Sequence, residues 1–499
     1  MGGSCCKMVC AQCGETPRPP VSEFQLPRTR LRTVEEIAAL DEEKTFVQAT
    51  DERIEFVGRS RTNDGTDLEF NFCNSTIRFV VTGSEAATSE TFDVSVTLMS
   101  PGNKYHKHTK MRGMLAPVEG ALYYDPVTKA YIPGTTKSQK TAACLFSVYV
   151  DGVFSSRFAV PDGGASGEAV EVVVAENLSG KKDTTIELVH TSDPSFGMVI
   201  FKGLHLNESG ILKKRSNSIA IKKKVIEFVG DSDATALGSL ASFPALNMGY
   251  CMKHFLDYSD SDYSFCKFVS QAFGADHHNI SAGGIGVVYP GDKYTATNVA
   301  GPAQHLYELM VGCNWNGRPN MAENKYNPGQ NPMPSVDLVI LWIGQNDIVA
   351  GMGPGKNVKG IEAYTSLLRT IRKHRPNVPV VCFYPEGLFH TNHPMNPLFG
   401  SNKKKCSAFN EDLKTWVESA VNTVGGDNLH ARGVSFQPAF DPERDYGMFA
   451  EIGVGGAKKL ARGMLPVIQE VTGWDIVHED AGSADPGTTS SDYVADPQM

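Results

Sequence analysis

Long apolar runs are missing from the 499-residue sequence, and so is an excess of basic charge. A membrane-spanning helix needs about 20 consecutive apolar residues, and no stretch approaches that length. Asp and Glu outnumber Lys and Arg by 56 to 47, which gives a formal net charge of −9. A mildly acidic surface argues against a nucleic-acid partner, because phosphates require a basic footprint. The composition predicts a soluble protein.

The 11 cysteines are distributed unevenly along the sequence. Cys5, Cys6, Cys10 and Cys13 crowd the N-terminus, whereas the others are scattered singly. No framework of paired cysteines is visible, so a reducing, cytoplasmic compartment is expected. The scattered cysteines in apolar segments are predicted to be small buried hydrophobes. A metal site at Cys10 and Cys13 would need a second ligand pair, and neither a metal nor a cofactor is predicted.

Residues 1–49 are predicted to form a mostly disordered leader without the apolar region of a signal peptide. Gly2 follows the initiator methionine, with Cys5 and Cys6 nearby. Acyl groups on Gly2 and on a neighbouring cysteine would together anchor the chain to a membrane, whereas one group would not. The match is partial, because the myristoylation pattern requires Ser or Thr where Cys6 stands. The alternative is a free tail with oxidisable thiols.

The segment from residue 50 to 212 has the pattern of an antiparallel β-sandwich. Short β-branched and aromatic runs are separated by Gly, Asn, Asp and Ser. Alternation over such short runs predicts strands with one buried face. The predicted strands are 67–72, 76–81, 145–150, 169–174 and 184–189.

The segment from residue 218 to 474 instead has continuously apolar runs with helical stretches between them. This pattern is typical of a parallel sheet covered on both faces. A lysine-rich linker, 213–224, leads into it, and a disordered acidic tail, 475–499, follows it. The predicted strands are 225–229, 279–282, 336–343 and 378–383, and the predicted helices are 360–374 and 455–471.

Ser232 ends the first of these apolar runs, in the sequence Gly-Asp-Ser. Ligands of α/β sheets bind beyond the carboxyl ends of the strands, where this serine falls. Asn346 and Gly284 also follow predicted strands and would supply a side-chain amide and a free backbone N–H. A helix beginning near Ala234 would direct its positive dipole end at a developing oxyanion. Taken singly, each residue also has a structural interpretation as a helix cap, a turn or a bend.

In their order and spacing these segments resemble the SGNH or GDSL hydrolase superfamily over residues 218–474. Together with the preceding β-sandwich, they resemble the two-domain acetyl esterases of carbohydrate esterase family two. The resemblance implies that Ser232 is the nucleophile. It also places the N–H groups of Ser232 and Gly284 and the side chain of Asn346 in the oxyanion hole, with Asp231 and Asp347 as structural members of their loops.

The superfamily carries its general base as a histidine in a last sequence block before the final helix. Here Asp445 and Gly447 fit that block, but Glu451 stands where His is expected. Phe449 occupies the place of the Asp that would orient the base. Three hypotheses follow: Glu451 is the base, with a pKa raised by desolvation; a loop histidine, His390 or His393, replaces it; or turnover has been lost.

The resemblance implies a serine-dependent ester hydrolase that removes acetyl groups from acylated carbohydrate, or acts on a small ester, without a cofactor. The rival hypothesis is an impaired esterase that holds a glycan or serves as a scaffold. The two differ in whether Ser232, Gly284, Asn346 and Glu451 form a working catalytic centre.

Overall fold

The computed structural model describes most of two domains, with gaps at several loops and at both ends. The described residues are 45–62, 65–84, 90–100, 122–125, 130–133, 144–160, 169–207, 209–214, 224–240, 259–288, 302–310, 333–349, 357–387, 403–441, 445–447 and 451–478. Several sequence-based predictions fall outside these ranges. They concern Gly2, Cys5, Cys6, Cys10, Cys13, His390, His393 and Phe449.

The first domain is a β-sandwich, as the alternating pattern predicts. Its strands are β1 (Thr45–Gln48), β2 (Glu55–Val57), β3 (Leu68–Phe70), β4 (Thr76–Gly83), β5 (Thr91–Met99), β6 (Leu122–Asp125), β7 (Ala130–Pro133), β8 (Cys144–Val150), β9 (Val153–Val160), β10 (Val170–Ser179), β11 (Thr184–His190), β12 (Val199–Leu206) and β13 (Gly210–Lys213).

Two antiparallel sheets form this sandwich in the described part of the chain. One has the order β1-β12-β5-β10, with β3 on β12; the other has the order β13-β4-β11-β8-β9, with β2 on β4. Their inward residues form one apolar core that includes Phe79, Val96 and Phe201. The sandwich begins before residue 50, where the leader was predicted to end, because Thr45–Gln48 pairs with β12 and buries Val47.

The second domain is an α/β domain, and both helices predicted for it are found. Its elements are β14 (Val225–Gly230), α1 (Ser232–Thr235), α2 (Phe265–Ala272), β15 (Asp276–Ser281), α3 (Ala303–Tyr307), β16 (Leu338–Trp342), α4 (Gln345–Val349), α5 (Asn357–His374), β17 (Val380–Pro385), α6 (Lys403–Val424), β18 (Leu429–Val434) and α7 (Val454–Thr472).

The strands of this domain form a parallel sheet in the order β15-β14-β16-β17-β18 among the described residues. The next strand along the chain, β15, pairs with one edge of β14, and the following strand, β16, pairs with its other edge. The carboxyl ends of β14 and β16 therefore flank a topological switch point, where α/β proteins bind ligands. All residues of β16 and β17 are buried, which explains their continuously apolar sequences.

A helix is found where one was predicted to begin, near Ala234, but it is short. The described helix is one turn, α1, and Ala236 ends it in the left-handed conformation with φ 53°. A single turn aligns few peptide dipoles, so the expected dipole contribution at Ser232 is small. Any electrostatic stabilisation in this region must come mainly from individual donors.

A buried ion pair joins the two domains. Arg59, from the loop after β2, donates to the Glu227 carboxylate on β14 at 2.9 Å, and both side chains are fully buried. Arg59 also donates to the Leu309 carbonyl at 3.1 Å and lies over the Tyr307 ring. Arg375 reaches the same carboxylate at 3.2 Å. Burial alone would raise the pKa of Glu227, but these neighbouring cations hold it well below its usual value.

Two further predictions can be compared with the described residues. Cys73, Cys144, Cys266 and Cys382 are buried free cysteines, as predicted for the scattered positions. Among the described helices, none is both long and apolar enough to cross a membrane.

Candidate active site

Ser232 lies immediately beyond the carboxyl end of β14 and is 3% exposed. The turn that carries it requires glycine two residues earlier. A Cβ on Gly230 would lie 2.7 Å from the Ala234 Cβ and 3.0 Å from the Trp342 carbonyl oxygen. The strand and the first helical turn can therefore approach closely only with Gly at this position.

Asn346, at the start of α4, links the three predicted sequence blocks. Its side-chain nitrogen donates to the Asp231 carboxylate at 3.0 Å and to the Ile285 carbonyl at 3.0 Å. Asp231 directly precedes Ser232, and Ile285 directly follows Gly284. The structure thus brings the ends of β14, β15 and β16 together, as their parallel arrangement requires. The two hydrogens of the Asn346 amide are used in these contacts.

Gly284 adopts a positive φ of 77°, which favours glycine because a Cβ would strain the backbone. The loop that carries it is held by Asp347 on α4. The Asp347 carboxylate accepts the N–H groups of Val287 at 2.8 Å and Val288 at 2.9 Å. A Cβ on Gly286 would meet this carboxylate at 2.3 Å, so that position also requires glycine.

The segment before α7 folds back onto the serine turn and delivers Glu451 to it. Gly447 donates its N–H to the Glu451 carbonyl at 2.8 Å, and Gly453 donates to the Asp445 carbonyl at 2.7 Å. A Cβ on Gly447 would lie 2.5 Å from the Gly238 carbonyl oxygen. This tight packing places the last sequence block against the residues that follow Ser232.

Glu451 lies close enough to Ser232 and Asp233 for both side chains to act on its carboxyl group. Asp233 also accepts the Trp342 indole N–H at 3.0 Å and the Ile452 backbone N–H at 3.0 Å. Burial and the nearby Asp233 charge raise the pKa of Glu451 well above its usual value. Burial raises the pKa of Asp233 as well, against the two N–H donors that stabilise its charge. Raised pKa values on both carboxyl groups favour one proton shared between Glu451 and Asp233.

Asp231 adds a third carboxyl group to this centre. Burial, followed by the charge of Asp233, raises the pKa of Asp231 well above its usual value. The Asn346 amide opposes this shift by donating to Asp231. Ser232 therefore lies among carboxyl groups that cannot all ionise at once.

Asp233 is the site residue that the sequence reasoning missed. It lies one position after Ser232, but its role depends on the fold-back of the segment around Glu451. Its acidic side chain next to the serine was the one visible signal. The structure brings Ser232, the Gly284 loop, Asn346 and Glu451 together. Their assigned catalytic roles remain predictions.

A separate cavity of about 360 Å³ lies between the domains. Arg78, Lys267 and Asp276 contribute to its lining. Asp276 pairs with Val225 at the amino end of β14, whereas Ser232 follows the carboxyl end of that strand. This cavity is therefore at the opposite end of the sheet from the candidate active site.

The free energy of unfolding is expected to fall as pH rises, beginning near the usual Glu pKa of 4.5. A folded-state pKa above the unfolded value means that the native state binds more protons in that window, so stability is lost as they dissociate. Glu451→Gln should flatten this dependence, although Asp231 and Asp233 contribute slopes of the same sign. Urea-unfolding midpoints measured from pH 4 to 9 check the expectation. Equal slopes for the two proteins would contradict it.

Comparison with known proteins identifies the fold. No family model matches the chain, and no curated protein matches its sequence. A family two carbohydrate esterase from Cellvibrio japonicus is similar in structure, with 15% identity, a TM-score of 0.57, and coverage of 86% of this chain and 98% of that one.

Two other solved structures give the same result. A family two carbohydrate esterase from Clostridium thermocellum, in complex with cellohexaose, has 16% identity and a TM-score of 0.58 over 84% of this chain and 99% of that one. An acetyl xylan esterase from the rumen bacterium Butyrivibrio proteoclasticus has 15% identity and a TM-score of 0.57 over 87% and 100%. The predicted two-domain fold, an α/β domain with a parallel sheet preceded by an antiparallel β-sandwich, is confirmed.

Proposed function

We propose that this protein is a serine-dependent ester hydrolase that removes acetyl groups from carbohydrate. The observation that carries the proposal is that Ser232 lies beyond the carboxyl end of a parallel strand and that the Ile452 N–H donates to Asp233 at 3.0 Å, which brings the neighbouring Glu451 against the serine turn. A buried serine beside a proton acceptor is the arrangement that activates a hydroxyl nucleophile. The substrate class is supported by the shared two-domain fold of carbohydrate esterases, one of them bound to cellohexaose.

In the proposed reaction the Ser232 oxygen attacks the ester carbonyl carbon, and the Ser232 proton passes to Glu451. The proton that Glu451 shares with Asp233 moves onto Asp233 at the same time, so the pair goes from one negative charge to none while the negative charge develops on the carbonyl oxygen. Return of a proton to the leaving sugar oxygen releases the alcohol and leaves an acetyl group on Ser232. Water, activated by the same pair, frees acetate and restores the serine.

Glu451 suits this role because its pKa is raised. An ordinary glutamate is a weak base at neutral pH, whereas a base with a pKa nearer the working pH transfers protons more effectively. Asp233 would act as a positioning residue that fixes the Glu451 carboxyl and accepts the proton that Glu451 passes on. The Trp342 and Ile452 donors hold Asp233 in place for this purpose.

One contact favours the rival hypothesis, a glycan-binding protein without turnover. The amide of Asn346 is engaged by Asp231 and by the Ile285 carbonyl. For Asn346 to stabilise an oxyanion, it must release one of these contacts when substrate binds. If it does not, the hole lacks a donor, and loss of one such donor costs about 10²- to 10³-fold in rate.

Ser232→Ala tests the proposal directly. It is expected to lower the hydrolysis of p-nitrophenyl acetate and the release of acetate from acetylated xylan by about 10³-fold or more. Ser270→Ala, which removes another buried hydroxyl within α2, is the matched control and should retain activity. Equal slow rates for wild type and Ser232→Ala would refute the hydrolase and leave the binding hypothesis. That hypothesis is checked by calorimetric titration of both proteins with cello- and xylo-oligosaccharides.

A further inference from the structure

The β-sandwich contacts the loops that carry the candidate catalytic groups. Asp193, in the segment after β11, is 1% exposed. Its carboxylate accepts the backbone N–H of Gly283 at 2.7 Å. Gly283 directly precedes Gly284, whose N–H is the predicted oxyanion donor. A side chain of the first domain therefore holds a loop of the active site in the second.

A second contact supports the same relation between the domains. Asn279, buried on β15, donates to the Asn74 side-chain oxygen of the sandwich at 2.8 Å and to the Ala234 carbonyl at 3.1 Å. Ala234 lies two residues after Ser232. Ser261, near the start of α2, also donates its N–H to the Thr191 carbonyl at 3.1 Å. Two sandwich segments, around Asn74 and Asp193, thus lie against the serine turn and its neighbours.

We propose that the β-sandwich is part of the catalytic centre and that Asp193 is a positioning residue for the oxyanion hole. The proposal rests on the proposed function, since it concerns the same reaction. Oxyanion donors stabilise a transition state only when they are fixed before the reaction begins. A short bond to a carboxylate fixes the Gly283 peptide more firmly than a neutral acceptor would. The left-handed backbone at Gly284 makes such a restraint necessary, because glycine is otherwise free to move.

This role differs from that of an accessory domain that recruits polysaccharide. A recruiting domain would change the KM for a large substrate and leave a small ester unaffected. A positioning residue acts on the chemical step, so its loss lowers kcat for the small ester as well.

The experiment uses the full chain and p-nitrophenyl acetate. Asp193→Ala is expected to lower kcat by about 10- to 100-fold with KM changed less than about threefold, because small displacements of catalytic groups have effects of this size. Asp193→Asn retains an acceptor oxygen and should recover most of the rate, within about fivefold of wild type. Asp93→Ala, which removes an acceptor for the Asn177 N–H elsewhere in the sandwich, should leave kcat unchanged.

Hydrogen exchange of the peptide covering residues 279–288 provides a readout that does not depend on turnover. Asp193→Ala should accelerate its exchange, and Asp93→Ala should not. If Asp193→Ala does not fold, Asp193→Asn carries the test: its kcat should fall by up to about fivefold, and the exchange of this peptide should be faster than in wild type.

The two proposals fail in different ways. A wild-type kcat for Asp193→Ala, in a protein whose hydrolysis requires Ser232, would overturn the positioning role alone. A change confined to KM would also overturn it. If wild type and Ser232→Ala hydrolyse p-nitrophenyl acetate at the same rate, the proposed hydrolase is refuted. The catalytic role of Asp193 is then refuted with it, even where Asp193→Ala accelerates the exchange of the loop.

Discussion

Glu451→Gln is expected to lower kcat/KM for p-nitrophenyl acetate by about 10²- to 10⁴-fold, the usual contribution of a general base. Gln has nearly the size of Glu and can still hydrogen-bond to Ser232 and Asp233, but its amide does not accept a proton at neutral pH. The change therefore removes basicity with little change in shape. Glu470→Gln is the control and should keep full activity, because Glu470 lies on the final helix α7 in an exposed pair with Arg432 of β18.

The pH dependence of hydrolysis by the wild-type protein is expected to identify the base. Because burial and Asp233 raise the pKa of Glu451, kcat/KM should rise with pH through an apparent pKa well above 4.5. That value belongs to the Glu451–Asp233 pair and not to either group alone. Glu451→His should keep a working base, and its kcat/KM should rise with pH near the ordinary histidine pKa of about 6.5.

Two results would count against this assignment. Glu451→Gln with wild-type activity and an unchanged pH profile would show that another residue accepts the proton, as the loop-histidine hypothesis requires. Absence of Ser232-dependent activity in both wild type and Glu451→His would show that the oxyanion hole itself is incomplete, because the base would then have been restored without effect.

Arg59→Ala is expected to reduce the free energy of unfolding by about 3–5 kcal/mol, the typical cost of removing one partner from a buried ion pair. Glu227 would keep Arg375 but lose the fully buried guanidinium that reaches it from the sandwich. The cation would also be lost from the Tyr307 ring and from the Leu309 carbonyl.

Arg53→Ala is the matched control for this prediction. Arg53 lies in the same domain and pairs with Asp51, but its side chain is 36% exposed, so its loss should cost less than about 1 kcal/mol. Urea unfolding followed by circular dichroism and tryptophan fluorescence measures both variants. Similar small losses for Arg59→Ala and Arg53→Ala would show that the buried pair contributes little to stability.

The α/β domain shows how far local sequence carries the argument. Apolar runs predict β14, β16 and β17 because every residue of a central parallel strand is buried, whatever its neighbours. Local constraints also require glycine at position 230, where a Cβ would meet Ala234, and favour it at position 284, where φ is positive. The extent of α1 could not be predicted in this way, because its end depends on packing among Gly238, Ser259 and the returning segment before α7.

The sequence by itself determined the two-domain architecture and placed Ser232, Gly284, Asn346 and Glu451 next to the ends of strands or helices. It could do so because hydrophobic periodicity and turn residues are patterns that extend over only a few neighbouring positions. Only the tertiary structure decided that Glu451 lies beside Asp233, that Asn346 donates to Asp231, and that Arg59 and Asp193 contact the second domain. These contacts join residues between 90 and 220 positions apart, roughly, and their energies arise from burial and charge proximity that no local pattern records.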